Sequence, residues 1–215
     1  MDLKVSPWIA AIVIVNFEIE KGQVIELLYP ESTHLTETEK NNLVYMAFPD
    51  SNSNSGKNEI RTHFHFNLRT KQPLSHQQKS FNRECKQDLR ADVGHYYGYT
   101  SFLQVKDPTI KRGYFQKSFV LLSRLPFHNF FYELVNRWAP IYFQNGVTAL
   151  EQGYDQILSW KKLAVNISFQ LPILGSVYQV FIPAANTIRN QTDSSVTSSS
   201  SSETSIISSV GSCSP

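Results

Sequence analysis

At 215 residues the chain has room for one domain of ordinary size plus a tail. Its formal net charge is +2, and its 20 basic residues are scattered without a block of five like charges, which argues against a nucleic-acid partner. Hydrophobic residues make up 41%, with 14 Phe and 10 Tyr, so a core can be buried. The two cysteines, Cys85 and Cys213, are too few for a disulfide framework, and a reducing compartment is expected.

The first element is the apolar run at residues 8–15, from Trp8 through Ile12, Val13 and Ile14. It falls well short of the about 20 apolar residues that a bilayer span needs. It also lacks the basic start and small-residue end of a secretory signal. A run apolar on both faces and rich in β-branched residues suits a central strand, and a cytoplasmic protein without a transmembrane segment is expected. Asn166-Ile167-Ser168 and Asn190-Gln191-Thr192 match the glycosylation triplet and are read as coincidental.

A polar turn ending at Gly22 leads into a second strand at residues 23–29, an antiparallel hairpin with a loop of the five-residue class, stopped by Pro30. Thr36 followed by Glu39 has the capping-box spacing and predicts a helix whose apolar side is Leu43, Val44, Met46 and Ala47. Residues 50–58 read as a solvated loop. In the third strand Ile60, Phe64, Phe66 and Leu68 share one face, and Arg61, His63, His65, Asn67 and Arg69 the other. Residues 70–94 read as irregular, with one helical turn around 81–89.

Strands at 96–105 and 114–123 follow, separated by a turn marked by Asp107-Pro108 and Gly113. Phe127, Phe130, Phe131, Leu134, Val135 and Trp138 then recur at helical spacing, a pattern that reads as core, with Pro140 expected to kink or end the helix. Leu150, Tyr154, Ile157 and Leu158 mark another helix. Leu163, Val165, Ile167, Phe169 and Leu171 alternate with period two, and a partner strand spans 177–182. This last pair is expected to lie outside the compact unit. Twelve of the final 27 residues are serine, so the tail is expected to be disordered.

The expected fold is therefore α+β, a five-stranded antiparallel sheet in the order β-β-α-β-β-β-α-α. Residues 1–160 form the domain, 161–188 a strand-rich linker, and 189–215 the tail. No catalytic constellation stands out: there is no phosphate-binding glycine loop and no nucleophile elbow around Ser51. His63 and His65 share a strand face, with His76 and His95 as distant helpers, but no matching cysteine or carboxylate cluster accompanies them. They read as a solvated face, and neither metal nor cofactor is expected. Tyr96, Tyr97 and Tyr99 could stack on bases, yet without a basic surround they read as sheet packing.

Several short motifs, in order, resemble the N-terminal, longin-like lobe of DENN domains. They are Asn16-Phe17, Gly22-Gln23-Val24, Leu28-Tyr29-Pro30, Ala47-Phe48-Pro49-Asp50-Ser51, Tyr97-Gly98-Tyr99 and, most specific, residues 111–127 from Lys111-Arg112-Gly113-Tyr114 to Leu125-Pro126-Phe127. Over residues 8–183 the chain resembles the DENN domain-containing protein 6 family. The resemblance implies a guanine-nucleotide exchange factor for an endosomal Rab GTPase, acting in recycling and in control of cell-surface adhesion. It implies peripheral association with the recycling endosome, and a Rab-facing surface on the first helix at Glu39, Asn42, Tyr45 and Asp50. In that family a second, larger lobe forms the other wall of the Rab groove. A serine tail in its place implies a chain truncated before that lobe, able to bind but incomplete for exchange, with its exposed apolar patch at 163–171. A longin-type scaffold or adaptor without exchange is the alternative.

Overall fold

A computed structural model describes residues 6–49 and 58–185. The loop at 50–57 with Asp50, the serine tail, Cys213 and the second glycosylation triplet lie outside the described residues. β1 (Ala11–Glu18) and β2 (Gly22–Tyr29) form an antiparallel hairpin. Asn16, Phe17 and Glu18 continue the first strand, so the connection is Ile19 to Lys21 and shorter than expected. Together with β3 (Glu59–Arg69), β4 (His95–Lys106) and β5 (Tyr114–Ser123) they make one antiparallel sheet in the order β2-β1-β5-β4-β3. This is the longin-like arrangement.

The central position of β1 follows from its composition, because both of its faces are covered. Ala11, Val13 and Val15 point to one face, where with Val120 and Leu122 of β5 they pack beneath α1 (Glu37–Met46). Ile12 and Ile14 point to the other and join Phe119, Leu121 and Tyr99 beneath α3 (His128–Asn145) and α4 (Val147–Leu158). The register pairs Val13 with Val120 and Ile14 with Phe119, so each face receives a matched row from both central strands.

The segment at 70–94 departs from expectation. It carries a full helix, α2 (His76–Glu84), and a 3-10 turn at Gln87–Leu89. Ser75 and Gln78 form a second capping box, a signal present in the sequence. The apolar periodicity is missing because Phe81 alone anchors the helix in the core. Pro140 likewise does not end α3, which runs on to Asn145 and stops at Gly146, whose φ of 67° lies in the left-handed region favouring glycine.

The largest correction concerns β6 (Ile167–Ile173) and β7 (Ser176–Ile182). Expected as a linker, the pair turns Phe169, Leu171, Ile173, Tyr178, Val180 and Ile182 into the same core that α3 and α4 cover. Trp8 joins the segment before β1 to residues 160–169. Its ring meets Phe169 at 5.1 Å and Trp160 at 5.8 Å, and its indole N–H donates to the Lys161 carbonyl at 2.9 Å. Leu163, Phe169 and Leu171 are buried, so this stretch is no exposed patch. The core does not break near residue 160. No helix among the described residues is long and apolar enough to cross a membrane.

Candidate partner-binding site

α1 is fixed at its start by a complete capping box. Thr36 Oγ1 accepts from the Glu39 amide at 3.2 Å, and Glu39 Oε2 accepts from the Thr36 amide at 2.7 Å. Glu39 is only 5% exposed. Burial acts to raise its pKa, but hydrogen bonds from Thr70, Thr36 and Gln72 outweigh that and hold the carboxyl below the usual range. Glu39 thus ties the helix to the connection between β3 and α2. Its place as a partner contact does not survive, since an acceptor already saturated inside the protein has nothing left to offer.

Leu43 and Ala47 anchor the underside, and the Ala47 carbonyl accepts from Ser118 Oγ at 2.6 Å. This leaves Asn42, Tyr45 and Met46 outward, with Tyr45 70% exposed. Two of the sequence-derived residues, Asn42 and Tyr45, therefore share an open helix face, and Asp50 lies outside the described residues.

The last turn of α1 delivers Phe48 to a cluster that sequence reasoning did not assign to the site. Phe48 meets Phe102 at 5.2 Å and Phe17 at 6.5 Å, and the Arg112 guanidinium sits 4.0 Å above the Phe17 ring. Among the described residues no carboxylate lies within ion-pair distance of Arg112. Three of the motifs read along the chain, around Phe17, Phe48 and Arg112, converge at this end of the sheet. Ile19, half exposed, lies in the adjoining turn. Tyr45, Met46 and Arg112 are exposed and are of the residue types enriched at protein interfaces.

Other candidates resolve as structure. His65 is turned to His128 at 5.2 Å and to Tyr132 at 6.0 Å, while His95 pairs with Asp92 at 3.4 Å. Burial and the neighbouring His65 lower the His128 pKa. No group of three potential metal ligands occurs among the described residues. Tyr99 is buried, and its hydroxyl donates to the Leu125 carbonyl at 3.2 Å. Arg124 lies over Tyr96 at 4.1 Å and donates to the carbonyls of Gln72, Asp92 and Val93. The aromatic row of α3 is core throughout, and burial pushes the Cys85 thiol up.

The architecture and the convergent motifs have a family to match. The family described as transport protein Avl9 matches residues 9–158, and the chain belongs to it. Protein DENND6B of Homo sapiens is 39% identical over 183 residues, covering 83% of this chain and 31% of its own length. Protein DENND6A of Mus musculus is 36% identical over 182 residues, covering 84% and 30%. The DENND6 homolog of Dictyostelium discoideum is 36% identical over 180 residues, covering 84% and 23%. These relatives place the chain in the DENND6 family, and it spans about a third or less of their length.

Proposed function

We propose that this chain is the N-terminal module of a DENN-type guanine-nucleotide exchange factor that binds an endosomal Rab GTPase through the outer face of α1. It works in the cytoplasm and peripherally on endosomal membranes. The observation that carries the reading is the open face of Asn42, Tyr45 and Met46, held on a rigidly capped helix beside the Arg112–Phe17 pair. Exchange breaks no covalent bond. A partner that prefers the nucleotide-free GTPase speeds release by differential affinity alone, so a shaped surface suffices.

The chain corresponds to about a third of its DENND6 relatives, and one wall of a binding groove is expected to bind without driving release. The test is titration against a nucleotide-depleted and a GDP-loaded endosomal Rab, alongside release of fluorescent GDP. Preference for the depleted form, weakened about tenfold or more by Tyr45→Ala or Arg112→Glu, is the expected result, with basal release unchanged. Equal affinity for both forms favours an adaptor. Affinity unaffected by either substitution removes α1 from the interface.

A further inference from the structure

The two edges of the sheet are built differently. At β2 the register slips, so that Ile14 opposes Leu27 while Val15 opposes Ile25, and Glu26 is the bulged residue. Pro30 follows the strand. A bulge and a proline are devices that spoil an edge as a template for further pairing. At β3 the register is unbroken through eleven pairs, from Glu59 opposite Val105 to Arg69 opposite His95, without bulge or proline.

The direction of the free groups on β3 follows from its ends. The Lys106 amide donates to the Asn58 carbonyl, and the Thr70 amide donates to the Gly94 carbonyl, each at 2.8 Å. In an antiparallel ladder the bonded residues alternate, so the even-numbered residues of β3 face β4. The amides and carbonyls of Arg61, His63, His65, Asn67 and Arg69 point away from it. Among the described residues, no hydrogen bond reaches those groups outside the β3–β4 ladder.

Four of the five side chains at the same positions, all but Asn67, are cationic or imidazole in character. From Arg61 to Lys71 the strand and its exit contain Arg61, Arg69 and Lys71, with His63 and His65, and no carboxylate. Glu59, just before them, is ion-paired to Arg61. The Nδ1 of His63 is buried and has no hydrogen-bond partner among the described residues. Tyr132 of α3 stands beside His65, ring to ring at 6.0 Å. A basic edge deters pairing with unselected strands and with like-charged ones. A strand carrying carboxylates at alternate positions turns the same charges into cross-strand attraction.

We infer that the free edge of β3 is a strand-addition site for an extended acidic segment of a partner protein. The segment adds a sixth strand beside β3, bonds to the odd-numbered amides and carbonyls, and sets its carboxylates against Arg61 and Arg69. This surface is separate from the outer face of α1, and Tyr45→Ala should leave it unaffected.

The probe is a fluorescein-labelled nonapeptide of alternating Glu and Thr, titrated into the 215-residue chain and followed by anisotropy at low and moderate salt. Saturable, salt-weakened binding is expected, reduced about tenfold by the joint substitution Arg61→Glu and Arg69→Glu. Amide exchange followed by NMR should show new protection at residues 61, 63, 65 and 67, with 62, 64 and 66 already protected in the free chain. Peptides N-methylated at alternate residues make the test independent of protein folding. Methylation in one phase should abolish binding, and in the other phase should leave it intact. Absence of saturable binding overturns the inference, as does binding indifferent to methylation in both phases. Self-association of the free chain through these same odd amides, seen by sedimentation, overturns it in favour of a second copy as the occupant.

Discussion

The two faces of the sheet are covered to different depths. On one side α3, α4, α2 and the β6–β7 pair enclose a continuous aromatic core that reaches from Trp8 to Ile182. On the other, α1 rests on a small cluster through Leu35, Leu43 and Ala47, and its far side stays open. The first face holds the molecule together through large rings with little surface left over. The second fixes its helix with Leu35, Leu43, Ala47 and a cap, and it leaves Asn42, Tyr45 and Met46 exposed. A face that is anchored cheaply can be used externally.

The sharpest way to break this contrast is Trp8→Ala. If the thick face carries stability, losing a fully buried ring that joins β1 to the β6–β7 pair should cost about 4 kcal/mol. Denaturant unfolding should then show a lower midpoint in a single transition. Separate melting of the strand pair would mean that it is not part of the core. Leu43→Ala comes next, at about 3 kcal/mol, because it empties the main anchor of the thin face.

Smaller effects sharpen the picture of the cap. Thr36→Ala removes the acceptor for the Glu39 amide and should cost about 1 kcal/mol by denaturant titration. Glu39 has a folded pKa below its unfolded value, so its contribution is complete above the unfolded value of about 4.3 and fades as pH falls through the folded one. Glu39→Gln should therefore flatten the acid limb of the stability profile. An unchanged limb would mean that the carboxylate is not held as described. Tyr45→Ala, the substitution expected to weaken partner binding, should move stability by less than about 0.5 kcal/mol. A large loss would make Tyr45 a packing residue and not a contact.

The sequence was most legible where local chemistry decides the conformation. The Thr36–Glu39 spacing announced the start of α1, the doubly apolar run announced a central strand, and the three- and four-residue recurrence of Phe and Leu announced α3. α2 was illegible by periodicity because a helix anchored by Phe81 alone has no stripe, although its capping box stood in plain text. Alternation from Leu163 to Leu171 signalled a strand with one buried face, which holds at Phe169 and Leu171, whereas Ile167 in the same phase is exposed and the strand begins only there. Period two says that a face is covered, and it does not say by what.

What the sequence determined by itself, then, is the set of elements and their buried sides, since propensity, capping and periodicity are short-range. Ordered motifs also carried the family. Tertiary structure alone decided which surfaces remain open. Glu39 and Asn42 lie in the same helix, yet one is sealed by Thr70 and Gln72 and the other is exposed. Phe17, Phe48 and Arg112 are far apart in the chain and meet because β1, the exit of α1 and the β4–β5 turn end at one place in the sheet. Burial and convergence depend on long-range pairing, and no local pattern encodes a neighbour that arrives from elsewhere in the chain.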